Sequence, residues 1–294
     1  MIIPEVKYHK PSTLEEAYEI LTVSDNPALI AGGTDILVEM KKGLRNHNDL
    51  VSLNHIKELK TISEFDNFIS IGAAVSFNQI LASSFINEHF PVLSDAVSKI
   101  GSHQVRNTGT IGGNICTCAS CADSVPVLIV YDAEIELGSS VGTRRMKITD
   151  FQLHHHQTSI NQNEVLTRVI IKKQKKNFFA SFQKFGLRES ASISVASIAA
   201  GLSIEEKKIK ESVVVSGACS PTPVICSSAV DELNGKNISE ITKTDLIQDI
   251  ADCAAKDISP IDDIRGSAEY RRDIIRVLTK RLILDIIKQY ENTK

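Results

Sequence analysis

The segment Gly101–Pro126, GSHQVRNTGTIGGNICTCASCADSVP, decides how the rest of this 294-residue chain is interpreted. It contains a glycine pair followed by Asn114, then three cysteines and Asp123, with almost no bulky side chains between them. Glycine accepts positive φ angles and lets a backbone approach a ligand closely, so the segment has the composition of a binding loop. A second glycine pair lies much earlier, in AGGTD at Ala31–Asp35, where an apolar run ends. Two such loops can close on one elongated anionic ligand.

Neither glycine pair belongs to a common phosphate-binding signature. The chain has no Gly-x-Gly-x-x-Gly between a strand and a helix and no Gly-x-x-x-x-Gly-Lys-Ser/Thr, so the Rossmann fingerprint and the P-loop are both missing. Gly-Gly-Thr and Gly-Gly-Asn can still offer backbone and side-chain donors to a pyrophosphate, and Asp123 can accept from ribose hydroxyls. We therefore predict a dinucleotide ligand, specifically FAD. The alternative, that both pairs only form turns, stays open.

Composition excludes several classes of protein. The chain is 42% hydrophobic and 23% charged, with a net charge of −3, which is typical of a globular protein and gives no reason to expect nucleic acid. No signal-peptide apolar region opens the sequence, and the longest apolar runs are too short to cross a bilayer. We expect a cytoplasmic protein that does not enter a membrane. Six cysteines without a secretory signal indicate free thiols or metal ligands rather than disulfides.

Hydrophobic periodicity predicts an α+β chain in two parts, joined at the charge run KKQKKN of residues 172–177. In the first part, a helix begins near Ser12, a second opens at Phe77, and 101–126 is expected to be a loop, with no regular βαβ repeat. The strands predicted there are 28–31, 49–53, 59–63, 68–72, 133–137 and 145–148, and a further helix is 91–100. In the second part, the predicted strands are 180–186, 192–202 and 209–216, and the helices are 246–257 and 267–290.

Several segments resemble the FAD-binding subunits of molybdenum hydroxylases, the relatives of xanthine dehydrogenase and carbon monoxide dehydrogenase. The segments are AGGTDILVEMKK, IGAAVSFNQI, IGSHQVRNTGTIGGNICTCASCADSVPVLIVYDAEIEL, SFQKFGLRESASIS, SPTPV and IRGSAEYRRDIIRVLTKRLI. The pattern is most similar to bacterial xanthine dehydrogenase FAD subunits. This resemblance implies a PCMH (vanillyl-alcohol-oxidase) type FAD-binding domain over 1–175, made of two α/β subdomains at about 1–55 and 56–175. A C-terminal domain of antiparallel sheet plus helices would follow over 176–294.

The resemblance also implies an FAD-dependent oxidoreductase subunit that transfers electrons. Molybdopterin would belong to a large partner subunit and two [2Fe–2S] clusters to a small one. Electrons would reach a non-covalently bound FAD on this chain and pass to NAD⁺ or another acceptor. No residue here need act as a catalytic base, because the cofactor carries the chemistry. Two alternatives stay open: a self-contained FAD-dependent oxidase or dehydrogenase of the vanillyl-alcohol-oxidase superfamily, and a non-catalytic nucleotide-binding scaffold.

The same resemblance implies the cofactor-binding residues. The first loop would supply main-chain and hydroxyl donors to the pyrophosphate, and the second loop would form the opposite wall. Asp123 would bind ribityl or ribose hydroxyls, Leu166 would lie against the isoalloxazine, and Lys184 would approach its pyrimidine edge, where a cation favours the anionic reduced flavin. At Ile100 some relatives carry an aromatic side chain. The predicted set is Leu29, Ile30, Ala31, Gly32, Gly33, Thr34, Asp35, Ile36, Ile100, Gly109, Thr110, Gly113, Asn114, Ala122, Asp123, Leu166 and Lys184.

The chain departs from the family pattern at two places that could suggest a metal. Three thiols lie within Cys116–Cys121, but a tetrahedral site needs a fourth ligand, and the other three cysteines have no paired spacing. We therefore predict free thiols and no metal. The run His154–His156 predicts a surface loop, because three adjacent histidines on a regular element cannot all face one ion.

Overall fold

The chain forms two compact units, and the central glycine- and cysteine-containing segment is divided between them. The computed structural model describes residues 5–189, 191–243 and 245–293. The first unit comprises the described residues up to Asn87, Ser102–Cys118 and Ala133–Lys172. The second comprises Glu88–Gly101, Ala119–Asp132 and the described residues from Lys173 onward. The predicted domain boundary near residue 175 stays a prediction.

A three-stranded parallel sheet forms the N-terminal part of the first unit. Its elements are β1 (Lys7–His9), α1 (Leu14–Val23), β2 (Pro27–Ile30), α2 (Ile36–Lys41) and β3 (Asp49–Ser52). The strands pair in the order β1-β3-β2. Helix α1 begins as predicted, because the Thr13 hydroxyl accepts a hydrogen bond from the N–H of Glu16. The sequence showed no regular βαβ repeat, yet the elements follow in the order β-α-β-α-β here, since strands of three or four residues leave too little periodic pattern to recognise.

A five-stranded antiparallel sheet completes the core of the first unit. Its strands are β4 (Ile62–Glu64), β5 (Phe68–Gly72), β6 (Glu134–Ser139), β7 (Gly142–Lys147) and β10 (Val165–Lys172), with the small hairpin β8 (Gln152–His154) and β9 (Gln157–Thr158) beside them in sequence. The five pair in the order β4-β5-β10-β6-β7. The predicted hairpin around Asp66 and Asn67 is confirmed as β4–β5. The central strands carry fully buried residues such as Ile69, Ile135 and Val169.

Short helices connect these strands, and two of them, with the start of a third, lie in the segment expected to be a loop. The helices are α3 (Phe77–Ala82), α4 (Ser84–His89), α5 (Pro91–Ser98), α6 (His103–Thr108), α7 (Ile111–Thr117), α8 (Ser124–Val130) and α9 (Ile148–Phe151). The loop expectation for 101–126 is therefore wrong. Hydroxyls of Ser102 and Thr110 cap the starts of α6 and α7. Helices of six or seven residues containing glycine carry too short an apolar pattern to be predicted.

The second unit contains an antiparallel sheet covered by helices, as predicted for the C-terminal domain. Strands β11 (Phe178–Gly186), β12 (Ser194–Glu205), β13 (Lys208–Gly217) and β14 (Val224–Ile225) pair in sequence order. The later helices are α10 (Ser227–Leu233), α11 (Ile238–Lys243), α12 (Leu246–Lys256) and α13 (Ala268–Asn292). Helix α13 buries Ile275, Leu282 and Ile286 in one core with Ile198 and Leu202 of β12. Within the described ranges, no helix combines the length and the apolar character needed to span a bilayer.

Candidate functional site

Two predicted site segments, far apart in sequence, meet in the first unit. A Cβ atom placed on Gly32 would lie 2.1 Å from the carbonyl oxygen of Thr108 and 3.0 Å from the Cα of Gly109. Backbone atoms cannot move aside as a flexible side chain can, so only glycine fits at this position. Gly32 is thus what allows the AGGTD loop to lie against the C-terminal end of α6.

The loop that follows β2 carries a row of unused backbone donors. Among the residues that the structure describes, none accepts a hydrogen bond from the N–H groups of Gly32–Ile36. Gly33 has a φ of +70°, the left-handed conformation in which successive N–H groups can point to one side. The Thr34 hydroxyl lies beside them, 3.3 Å from the carboxylate of Asp35. Asn54 holds the loop in place by donating to the carbonyl just before it, at 2.8 Å.

The second glycine pair, Gly112 and Gly113, uses its N–H groups within the protein, unlike the first pair. The N–H of Gly112 donates to the carbonyl of Ala73 (2.9 Å), and the N–H of Gly113 donates to the hydroxyl of Thr110 (3.1 Å). A Cβ on Gly112 would lie 2.6 Å from the Cβ of Ala73, and neither glycine has a positive φ. The expectation that this pair offers free N–H groups is therefore wrong. The assignment of Gly113 and its neighbour Asn114 to the cofactor site stays a prediction that rests on their position.

The two charged residues predicted for the site bind each other inside the second unit. The Lys184 ammonium donates to Oδ2 of Asp123 (2.7 Å) and to the carbonyls of Lys99 (2.9 Å) and Ser192 (3.1 Å). The Ser194 hydroxyl donates to Oδ1 of Asp123 at 2.5 Å. The side chains of Asp123 and Lys184 are only 5% and 11% exposed. Because an ammonium group has three N–H donors, every donor of Lys184 has an acceptor within the protein.

Burial and ion pairing have opposite effects on the pKa of the Asp123 carboxyl. Burial raises the pKa of the Asp123 carboxyl, and the charge and hydrogen bond of Lys184, followed by the hydrogen bond from Ser194, counteract that rise. The short contacts to an ammonium and a hydroxyl are those of an ionised carboxylate. No spacing in the sequence points to Ser194, which lies 71 residues from Asp123. The predicted approach of Lys184 to a flavin stays a prediction, and the structure adds that Lys184 holds Asp123 in place.

Three apolar residues of the predicted set are buried in their own units, and the other four, Leu29, Ala31, Ile36 and Ile100, are partly buried. Leu166 is 3% exposed and stands at an irregularity in the pairing of β10 with β6. Ile30 and Ala122 are 7% and 4% exposed. The N–H of Ile100 donates to the carbonyl of Val97 just after α5. The roles of Leu166 and Ile100 toward an isoalloxazine stay predictions.

Cys118, directly after α7, contacts the histidine run, although nothing in the sequence connects the two segments. The N–H of His156 donates to the carbonyl of Cys118 (2.9 Å), and Sγ of Cys118 donates to the carbonyl of His154 (3.1 Å). The histidines are exposed at the turn between β8 and β9, so the predicted surface loop is confirmed. This turn satisfies the C-terminal end of α7.

A metal ion would bind the thiolate form of these cysteines, whereas burial of their side chains favours the protonated thiol form. Burial raises the pKa of Cys116 to about 12 and also raises the pKa of Cys118. In the described part of the chain, no three His, Cys, Asp or Glu side chains are grouped so that they could hold a metal ion. The absence of a metal stays a prediction that metal analysis can test.

The donor row of Gly32–Ile36 fits the anionic part of a dinucleotide. Hydrogen bonds from N–H groups to a charged oxygen are roughly twice as strong as those to a neutral acceptor. A pyrophosphate can use several of these N–H groups at once, whereas a neutral ligand would gain less from them. This loop is therefore the part of the first unit whose geometry best suits a pyrophosphate, and its contact with a cofactor stays a prediction.

Comparison with known proteins agrees with these features. Residues 4–173 match the FAD binding domain in molybdopterin dehydrogenase, and residues 180–286 match the CO dehydrogenase flavoprotein C-terminal domain. The xanthine dehydrogenase FAD-binding subunit of Escherichia coli O157:H7 is 31% identical over 95% of this chain and 95% of its own length. The nicotinate dehydrogenase FAD-subunit of Eubacterium barkeri is 30% identical over 98% of each chain.

A solved structure of a related protein has the same fold as this chain. Carbon monoxide dehydrogenase from Hydrogenophaga pseudoflava matches with a TM-score of 0.93 at 26% identity, covering 98% of this chain and 99% of that one. The predicted FAD-binding domain followed by a sheet-plus-helix domain is confirmed. The chain therefore belongs to the family of FAD-binding oxidoreductase subunits of molybdenum hydroxylases, which includes xanthine dehydrogenase and carbon monoxide dehydrogenase flavoproteins.

Proposed function

We propose that this chain is the electron-transfer flavoprotein of a xanthine dehydrogenase-like molybdenum hydroxylase. Substrate would be oxidised at molybdopterin on a large partner subunit, and electrons would pass through the [2Fe–2S] clusters of a small one to this chain. NAD⁺ or another acceptor would then receive them. The observation that carries the proposal is the row of unused N–H donors at Gly32–Ile36, in a chain that FAD-subunit relatives match almost end to end.

The residues of this chain would bind and orient the cofactor rather than react. The donors of Gly32–Ile36 and the Thr34 hydroxyl would hold the pyrophosphate, while Gly32 keeps that loop against the end of α6. Asp123, fixed by Lys184 and Ser194, would accept from hydroxyls of the ribityl or ribose groups. Bound FAD supplies the exchange between single-electron and hydride transfer.

The acceptor and the location of the complex are part of the same proposal. The relatives are named as dehydrogenase subunits, and these names specify no acceptor. NAD⁺ or another acceptor is therefore proposed from the family resemblance alone. A cytoplasmic complex agrees with this choice of acceptor. We also propose 1–175 and 176–294 as the two domains.

The first experiment purifies the native complex through a tag on this chain and measures flavin, iron and molybdenum per chain. We expect one FAD, released intact by acid precipitation, together with molybdenum and iron on co-purified subunits. Flavin that stays attached to the precipitated protein would exclude non-covalent binding. An isolated chain that oxidises a substrate without molybdenum or iron would favour the self-contained oxidase or dehydrogenase.

A matched pair of glycine variants tests the donor row. Gly33 and Gly43 have φ values of +70° and +71°, so Gly33→Ala and Gly43→Ala impose the same backbone cost of about 1–2 kcal/mol. Gly33→Ala also places its Cβ 3.0 Å from the Leu37 side chain, so the folding stability of both variants is measured beside FAD affinity. Gly33 lies in the donor row, whereas Gly43 lies just after α2. We expect FAD affinity to fall at least tenfold in Gly33→Ala and to stay near wild type in Gly43→Ala. Equal affinities in the two variants would place the pyrophosphate elsewhere.

A further inference from the structure

A buried arginine of the second unit joins two strand ends. Arg271 lies in the first turn of α13 and is 3% exposed, although arginine is almost never fully buried unless it is paired. Its Nη1 donates to the carbonyl of Val195 (2.6 Å) and to that of Ala218 (3.2 Å). Val195 is the second residue of β12, and Ala218 directly follows β13, the neighbouring strand. Arg271 thus ties the start of one strand to the end of the next.

The other arm of the same guanidinium binds a carboxylate. Nη2 of Arg271 donates to Oδ1 of Asp263 at 2.6 Å, and the N–H of Arg265 donates to the same oxygen at 2.7 Å. Burial opposes ionisation, but the N–H of Arg265 and the side chain of Arg271 together lower the pKa of the Asp263 carboxyl. The charge of Arg271 is therefore compensated within the second unit.

One of the two carbonyls leads to the proposed cofactor ligand Asp123. Val195 follows Ser194, whose hydroxyl donates to Oδ1 of Asp123 at 2.5 Å. Ser194 is 2% exposed, so its hydroxyl is directed by the protein and not by solvent. By holding the carbonyl of Val195, Arg271 restricts the main chain next to Ser194 and with it the direction of the hydroxyl.

The other carbonyl leads to the main chain just before Asp123. The N–H of Ala218 donates to the carbonyl of Ser120 at 2.8 Å. Ala218 has a φ of +62°, a left-handed conformation that is uncommon for residues other than glycine and depends on the surrounding structure. Arg271 holds its carbonyl while Ser120 accepts from its N–H. Arg271 is thus connected to the segment 120–123 by two separate routes.

The geometry of the three acceptors suits arginine and not lysine. A guanidinium is planar and presents its N–H donors in a rigid fork, so that one nitrogen can bind two carbonyls while another binds a carboxylate. A lysine ammonium presents its donors from a single nitrogen at the end of a flexible chain. Arg271→Lys therefore keeps the positive charge and loses the fixed geometry between Asp263 and the two strand ends.

We propose that Arg271 is a positioning residue for the cofactor contact of Asp123, acting through Ser194 on the carboxylate and through Ala218 on the preceding main chain. The inference rests on the proposed function, in which Asp123 accepts from hydroxyls of FAD. A binding side chain has to be held within about 0.5 Å of its productive position by the groups that support it. Arg271 supplies part of that support without itself contacting the cofactor.

Arg271→Lys is the main test, and Arg276→Met is its matched control. Arg276 lies on the same helix, and its ion pairs go to Asp252 (2.7 Å) and Asp273 (2.6 Å) of α12 and α13. Each full-length chain is freed of flavin, checked by circular dichroism and titrated with FAD. We expect the Kd for FAD to rise about fivefold or more in Arg271→Lys, as when one hydrogen bond to a ligand is weakened, and to stay near wild type in Arg276→Met. A folded Arg271→Lys with wild-type affinity would overturn the inference.

A double-mutant cycle separates positioning from a general loss of stability. Ser194→Ala removes the hydroxyl that Arg271 is inferred to support. If Arg271 acts through Ser194, the loss of FAD affinity in the double variant should be at least about threefold smaller than the product of the two single losses. Losses that multiply would show that Arg271 acts independently of this hydroxyl, and they would overturn the inference.

Two further variants keep the test decisive. If Arg271→Lys does not fold, Asp263→Ala replaces it, because the Asp263 side chain is 23% exposed and its loss frees one arm of Arg271. We expect FAD to bind at least about threefold more weakly to Asp263→Ala, and unchanged binding would overturn the inference.

Asp123→Ala separates this inference from the proposed function. Loss of FAD in Asp123→Ala together with wild-type affinity in Arg271→Lys would overturn the inference alone. Wild-type affinity in Asp123→Ala would remove Asp123 from the cofactor site, and would overturn that part of the proposed function and this inference together.

Discussion

Replacing Lys184 by Met should destabilise the second unit strongly and in a pH-dependent way. Lys184 is the cation paired with the buried carboxylate of Asp123, and its other two donors hold the carbonyls of Lys99 and Ser192. Met has a similar length and no charge. The substitution therefore leaves the space filled and removes the ion pair.

The size of the effect follows from the burial of the pair. Removing one partner of a buried ion pair costs about 3–5 kcal/mol, because the remaining charge stays in a poorly solvated place. Solvent screening reduces the energy of this ion pair only slightly, since the Lys184 side chain is 11% exposed and the Asp123 side chain is 5% exposed. The hydrogen bond from Ser194 remains and keeps the loss below that of a fully isolated carboxylate.

The pH dependence has a definite sign. Burial already raises the pKa of Asp123, and loss of Lys184 removes the largest opposing influence. A carboxyl whose pKa is higher in the folded state binds its proton more readily there, so stability falls as pH rises from the unfolded pKa to the folded one. The deficit of Lys184→Met should thus be largest near pH 8 and shrink by up to about 1.4 kcal/mol per pH unit on acidification.

Urea unfolding followed by far-UV circular dichroism at pH 8 and pH 5 measures this deficit. Adding Asp123→Asn to Lys184→Met should restore part of the lost stability, because the uncompensated charge is gone. The exposed Lys176 provides the control, and Lys176→Met should be near neutral. A deficit below about 1 kcal/mol, or one that is equal at both pH values, would refute the argument from the buried pair. The flavin retained by Lys184→Met should also have a lower reduction potential if Lys184 lies near it.

Three further predictions concern the first unit and the thiols. Gly112→Ala should cost at least about 1–3 kcal/mol, since its Cβ would lie 2.6 Å from that of Ala73 and also against the backbone of that residue. Gly113→Ala should cost less, up to about 1 kcal/mol, because its Cβ would displace only the capping hydroxyl of Thr110; equal losses in thermal unfolding would contradict this. Arg144 donates two hydrogen bonds to the carboxylate of Glu164 and lowers the pKa of that carboxyl to about 2. Glu164→Gln should therefore be less stable than wild type at neutral pH, and the difference should disappear as the pH falls to about 2. Replacing the three cysteines of 116–121 by Ala should keep FAD, and iron and zinc should be far below one per chain by elemental analysis; stoichiometric iron that is lost in the variant would show a cluster.

Strong local patterns made much of the fold predictable. Helix α13 was predicted from its apolar spacing, and the hairpin β4–β5 from its turn residues, because each pattern extends over enough residues to outweigh its alternatives. The glycine pair after β2 likewise marked the loop whose donors are unused. Family resemblance then supplied the architecture, which no periodicity in the chain could have indicated.

Only the tertiary structure revealed the contacts between residues that are far apart in the sequence. The two glycine pairs look alike in sequence, yet Gly33 takes a left-handed conformation while Gly112 sits in a helix against Ala73. The bond between Ser194 and Asp123 spans 71 residues, and the turn at His156 meets Cys118 across 38. Local sequence determines φ and ψ preferences and apolar faces, whereas these partnerships depend on which surfaces the folded chain brings within hydrogen-bonding distance.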